Sequence, residues 1–209
     1  MKKTLAVILT FLMLFSTVSV FAEGETENIT VYLSVSKYGE ITEDKNGDPM
    51  AYAPVTLEGK ETYTLDDVFR KAHELYYEDG EGGYASSVGD WGLGIDMFWG
   101  DTSYNFGYQV NQGKEAVMGP GHEVTQGDYV DACIYQNLYP DTEGYAFFDI
   151  QKTEIMQEEA LSLTLSYASG YDENWNTIFS PCEGATILVN GEETEIVTDE
   201  NGVAEFVSE

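Results

Sequence analysis

The 209-residue chain carries 38 Asp and Glu against 9 Lys and Arg, a formal net charge of −29 at pH 7, and 13% of its residues are aromatic. So acidic a surface repels phosphate backbones and anionic lipid heads, because its few scattered cations cannot build the basic patch that either would need. Nucleic-acid binding is thereby excluded as a primary role, and the acidity reads first as solubility outside the cell and second as attraction for cations.

At the N-terminus, Lys2 and Lys3 precede an apolar run over residues 5–20, and Val20-Phe21-Ala22 supplies acceptable residues before a cleavage site. Residues 1–22 are therefore expected to be a signal peptide cut before Glu23. The run is shorter than the roughly 20 residues that span a bilayer. Because no later apolar stretch is long enough to span, the mature chain is expected to be secreted or held at the cell surface without a membrane span.

Residues 29–36 place Ile29, Val31, Leu33 and Val35 at period two, which predicts a strand with one buried face. Asp44-Lys45-Asn46-Gly47-Asp48 has the oxygen spacing that opens a calcium loop. Gly47 is out of place for one, however, and Val55 stands where a bidentate Glu should close it, so plain turn chemistry is expected. Residues 52–57 read as a second strand.

A helix of about 14 residues is predicted from Thr64, where a hydroxyl cap and Asp67 three residues on form a variant capping box. Leu65, Val68, Phe69, Ala72, Leu75 and Tyr76 make its apolar stripe. The glycines at 80, 82 and 83 stop it. From Trp91 to Trp99, large apolar residues alternate with glycines, which suggests close backbone approach or a bend and not a plain strand. Residues 106–111 resume alternation, residues 129–135 form another strand, and residues 145–148 pair at an edge.

A Glu-rich linker over residues 151–159 leads to a region of strands alone. Residues 161–167, 184–189, 194–198 and 203–207 are β-prone, with Asn190-Gly191 as a hairpin signal. Residues 160–209 thus read as an immunoglobulin-like β-sandwich segment, expected to be incomplete because such folds typically take about 100 residues. Two units follow, 23–150 and 160–209, the first an α+β arrangement in which a mixed sheet wraps one main helix.

The residues give little support for catalysis. His73-Glu74 and His122-Glu123 each lack the second His of a helical zinc site, since Tyr77 and Gln126 occupy those positions. His73 is read as a helix-surface residue and His122 as a loop residue. Neither Cys133 nor Cys182 has an evident His partner near it, and a disulfide between the two and a pair of unpaired, buried small hydrophobes are equally compatible with their spacing. No catalytic residue and no metal site is assigned, and the chain is read as a non-enzyme. The aromatic concentration at Trp91, Phe98, Trp99, Tyr104, Phe106 and Tyr108 is more telling. It reads either as core and cross-strand pairs or as a partly exposed platform for a flat ligand or a partner surface.

Thr64-Leu65-Asp66-Asp67-Val68-Phe69, Tyr104-Asn105-Phe106-Gly107-Tyr108-Gln109-Val110-Asn111 and Val124-Thr125-Gln126-Gly127-Asp128-Tyr129-Val130 together resemble a β-grasp family related to the C-terminal domain of transcobalamin. The resemblance covers about residues 28–149, with Gln112 interposed before Gly113 as a departure from the family turn. It implies a β-grasp-like fold and a ligand face that covers a corrinoid, with cobalamin as the ligand; the aromatic cluster and this pattern together give Trp91, Phe98, Trp99, Tyr104, Tyr108 and Asn111 as the expected binding residues. Residues 181–207 are similar to bacterial surface immunoglobulin-like and carboxypeptidase-regulatory-like repeats, which act as spacers or adhesion modules. The expected function is a secreted or surface binding module for a small molecule, surface protein or glycan. Its alternative is a structural or adhesive surface protein without a small-molecule ligand.

Overall fold

The computed structural model describes residues 27–113, 117–136, 145–151, 153–173, 177–189 and 192–207. The expected signal peptide and cleavage site, Trp175 and the expected Asn190-Gly191 turn lie outside the described residues.

The N-terminal strand β1 (Ile29–Lys37) is central to a five-stranded mixed sheet. Its two halves pair on one side with β3 (Ala53–Leu57) and β2 (Glu40–Ile41), both antiparallel. On the other side it runs parallel to β9 (Tyr129–Ile134), which in turn pairs antiparallel with β7 (Phe106–Val110). Between β2 and β3 the side chain of Asp44 accepts hydrogen bonds from the Asn46 and Asp48 backbone N–H groups at 2.7 and 2.9 Å. The calcium-like spacing is therefore spent on an Asx turn.

Helix α1 (Leu65–Tyr76) starts where Thr64 and Asp67 meet. The Asp67 carboxylate accepts from the Thr64 backbone N–H at 3.1 Å and from its hydroxyl at 3.2 Å. Leu65, Val68, Phe69 and Ala72 are buried, and they face Val31, Leu33, Val35, Val55, Val130 and Ile134 from the sheet. The short pair β4 (Tyr63–Thr64) and β8 (Glu123–Val124) anchors the helix start. After a 3₁₀ turn (Gly80–Gly83), β5 (Ala85–Gly89) and β6 (Gly92–Met97) form a hairpin turned by Asp90-Trp91 alone.

In the second sheet, β11 (Ala160–Tyr171) pairs through residues 160–164 with β15 (Val203–Val207) and through residues 165–171 with β10 (Ala146–Phe148) and β12 (Thr177–Pro181). A separate hairpin joins β13 (Thr186–Val189) to β14 (Glu192–Val197). Gly202 (φ +75) crosses so close to β11 that a Cβ there would stand 2.3 Å from the Leu165 carbonyl oxygen, so only glycine fits.

The α+β expectation is overturned: 49% of the structure is strand and 12% helical, a β-rich fold of several small sheets about one helix. The physical reason lies in segments that carry weak periodicity. Residues 91–99, expected to bend and not to form a plain strand, supply β6, which closes a hairpin with the unassigned residues 85–89, and residues 177–181, assigned to no element from the sequence, pair with β11. Residues 145–148 do pair at an edge, but with β11, so their ladder lies in the second sheet.

Candidate functional site

The structure divides the predicted aromatic set. Phe98 and Trp99 are buried, at 1% and 9% exposure, and belong to the core. The Phe98 ring packs edge-on to Phe69 at 5.1 Å, and Trp99 lies against His73 and Tyr77 at 4.8 and 5.3 Å. Tyr108 is half-buried beside Phe69, at 5.8 Å, and burial raises the pKa of its hydroxyl. Asn111 ties the end of β7 to the start of β9. Its Oδ1 accepts from the Tyr129 N–H at 3.0 Å and its Nδ2 donates to Asp128 at 2.9 Å. Trp91, fully exposed, and Tyr104, at 67%, are the members of the set whose rings lie mostly in solvent.

His73 is not a surface residue; it is completely buried. Four residues after Phe69 it falls on the apolar stripe of α1, and its ring contacts Tyr84, Phe98 and Trp99. Nε2 accepts from the Trp99 backbone N–H at 2.9 Å, so the ring proton sits on Nδ1, 2.6 Å from the Phe69 carbonyl oxygen to which it is donated. Burial lowers the His73 pKa to about 4, against a smaller opposing effect of the Phe69 carbonyl, and the imidazole is neutral. This bond also pins Trp99 at φ +49, a left-handed conformation that disfavours a bulky side chain. His122 lies in a loop, as expected, and its carbonyl accepts from the Leu65 N–H at 2.9 Å.

Two surfaces bear on binding. The first is a shallow groove at the tip of the β5–β6 hairpin, where Trp91 and Met118 stand over Gly92, Gly119, Gly121 and His122. Val88 and Met118 are exposed beside Trp91, so the tip presents apolar area without a cover.

The second is a cleft of about 250 Å³ on the sheet face opposite the helix, lined by Ser34, Ser36, Ile41, Asp131, Tyr135 and Tyr145. Ser34 is the ladder partner of Asp131, and Ser36 that of Cys133. The Tyr145 hydroxyl donates to Asp131 at 2.5 Å and the Cys133 thiol to the Gly107 carbonyl at 3.3 Å. Tyr135 lies over Gly107, where a Cβ would come within 2.6 Å of its ring. Cys133 and Cys182 are not joined by a disulfide. Sequence reasoning missed this cleft. The available signal was the alternation of Tyr32, Ser34 and Ser36 in β1 and of Tyr129, Asp131 and Cys133 in β9, which gives the sheet a polar second face.

No family model, no curated protein and no solved structure matches the chain. Among the described residues, no helix is long and apolar enough to cross a membrane.

Proposed function

We propose that the chain is an exported binding module that takes a flat ring ligand on the groove at the β5–β6 tip, with Trp91 as its anchor. The observation that carries this reading is the indole of Trp91, held wholly in water beside exposed Val88 and Met118. A large ring kept out of the core gives little to stability and much to affinity, because its apolar area is removed from water only when a partner arrives. Gly92, Gly119 and Gly121 lower the groove walls and let a planar group approach the backbone. A corrinoid is the first ligand to try, since the pattern over residues 104–111 and 124–130 resembles the transcobalamin-related family.

Titration calorimetry with cyanocobalamin tests it. Wild type should give saturable heat and tryptophan quenching, and Trp91→Ala should bind about 30-fold more weakly with an unchanged melting temperature. Equal binding by Trp91→Ala would remove the groove from the reading. Absence of heat and of quenching at high micromolar ligand would remove the corrinoid and redirect the search to a protein or glycan partner.

A further inference from the structure

The cleft behind the sheet differs in chemistry from the hairpin groove and stands independently of it. Its charged group is Asp131, whose carboxylate is fixed by hydrogen bonds from Tyr145 and Ser34. Burial pushes the Asp131 pKa up, and those two hydrogen bonds offset only part of the effect. Four ion pairs join the described residues, Lys37–Asp101, Lys60–Asp67, Arg70–Asp66 and Lys71–Glu74, and none includes Asp131. A carboxylate partly withdrawn from water, with no ion-pair partner among the described residues, is costly, and a bound cation would relieve that cost.

The surroundings favour an organic cation. Tyr129 stacks on Tyr32 at 5.2 Å and meets the edge of Tyr52 at 5.5 Å, and Tyr145 stacks on Phe147 at 5.5 Å. Burial first, and then the nearby charge of Asp131, raises the pKa of both Tyr52 and Tyr145. Tyrosine faces attract cations, and the strongly negative chain repels anions. Ser34 and Ser36 add hydroxyl oxygens, while Ile41 and Ala146 supply an apolar edge.

We propose that this cleft binds the primary ammonium group of a small organic cation, with Asp131 as counter-charge, Ser34 and Ser36 as further acceptors, and Tyr135 and Tyr145 as ring walls. A primary ammonium carries three N–H donors that match this set, whereas a quaternary ammonium offers none. The cleft volume admits a short alkyl stem beside Ile41.

The test is calorimetry on the mature chain with n-butylammonium chloride, tetramethylammonium chloride and n-butanol at matched ionic strength. The expected result is saturable binding of n-butylammonium with a Kd at or below about 1 mM. Tetramethylammonium should bind at least about tenfold more weakly, and n-butanol should give no heat, because neither supplies charged N–H donors. Asp131→Asn should weaken n-butylammonium at least about tenfold. Ser36→Leu, which fills the cleft and leaves Asp131 in place, should also abolish binding, with circular dichroism reporting the fold of both variants. Trp91→Ala should bind n-butylammonium as wild type does, which separates this site from the hairpin groove. Binding of n-butanol equal to that of n-butylammonium, equal binding of tetramethylammonium, or retention by both cleft variants would each overturn the assignment.

Discussion

The buried His73 makes stability depend on pH in a window where no carboxylate with a lowered pKa contributes. In the fold its pKa is about 4, while an unfolded chain leaves it near 6.5, so the folded state holds the neutral ring. A group depressed in the fold stabilises fully above its unfolded pKa, and that contribution is lost as pH falls from about 6.5 toward about 4. The gap corresponds to about 3 kcal/mol in all, of which about 2.5 kcal/mol is gone by pH ~4.5. Asp44, Asp66, Asp101 and Asp199 have pKa values lowered from 3.8, so their contributions disappear at lower pH. Asp131, raised by burial, acts in the opposite sense. His73→Gln isolates the effect, because an amide can donate to the Phe69 carbonyl and accept from Trp99 but does not titrate. Urea unfolding of both proteins from about pH 7 to about pH 4.5 should show wild type losing about 2.5 kcal/mol more than the variant. Stability curves that stay parallel to within about 0.5 kcal/mol, or an NMR titration placing His73 near 6.5, would refute the reasoning.

Phe69→Ala should cost about 3–5 kcal/mol in denaturant unfolding, since it empties the centre of the helix–sheet core. Trp99→Ala should lower stability by a similar amount, about 3–5 kcal/mol, while Trp91→Ala changes it by less than about 0.5 kcal/mol; differential scanning calorimetry separates the two. Gly202→Ala should destabilise by about 1–3 kcal/mol, because the added Cβ meets the Leu165 carbonyl at a positive φ. Mass spectrometry of exported material should give an N-terminus at Glu23, and an intact Met1 would argue against export by signal cleavage.

Helix α1 was legible because one stripe of it must be buried, and Leu65, Val68, Phe69 and Ala72 recur at the spacing that does so. The same spacing places His73 on the stripe, but a polar residue type masked the position; its burial becomes evident only when the Trp99 N–H arrives as a partner from a distant turn. Two rings of the expected aromatic platform lie in the core for a related reason. Phe98 and Trp99 are adjacent, yet both point into the core, because Trp99 adopts a left-handed conformation that period-two reasoning cannot anticipate. The β5–β6 hairpin lacks the Asn-Gly or Asp-Gly signal of a two-residue turn and uses Asp90-Trp91 instead. The cleft depends on Ser34 and Asp131 meeting across a parallel ladder nearly a hundred residues wide, a contact that local pattern does not encode.

The position of β10 also opens a route for strand exchange between copies of the chain. Residues 146–148 precede the connector, yet their ladder partners are residues 165–167 of β11, beyond it. If that connector straightens, the hydrogen bonds β10 makes within one molecule become available to β11 of a neighbour, with no change in which residues pair. Strand donation of this kind exchanges an existing interface for an identical one, so its equilibrium is governed by protein concentration and by the connector's preference for bending. A proteolytic nick over residues 153–159 would act in the same direction, leaving two polypeptides held together by a backbone ladder that either half can re-form with a fresh partner.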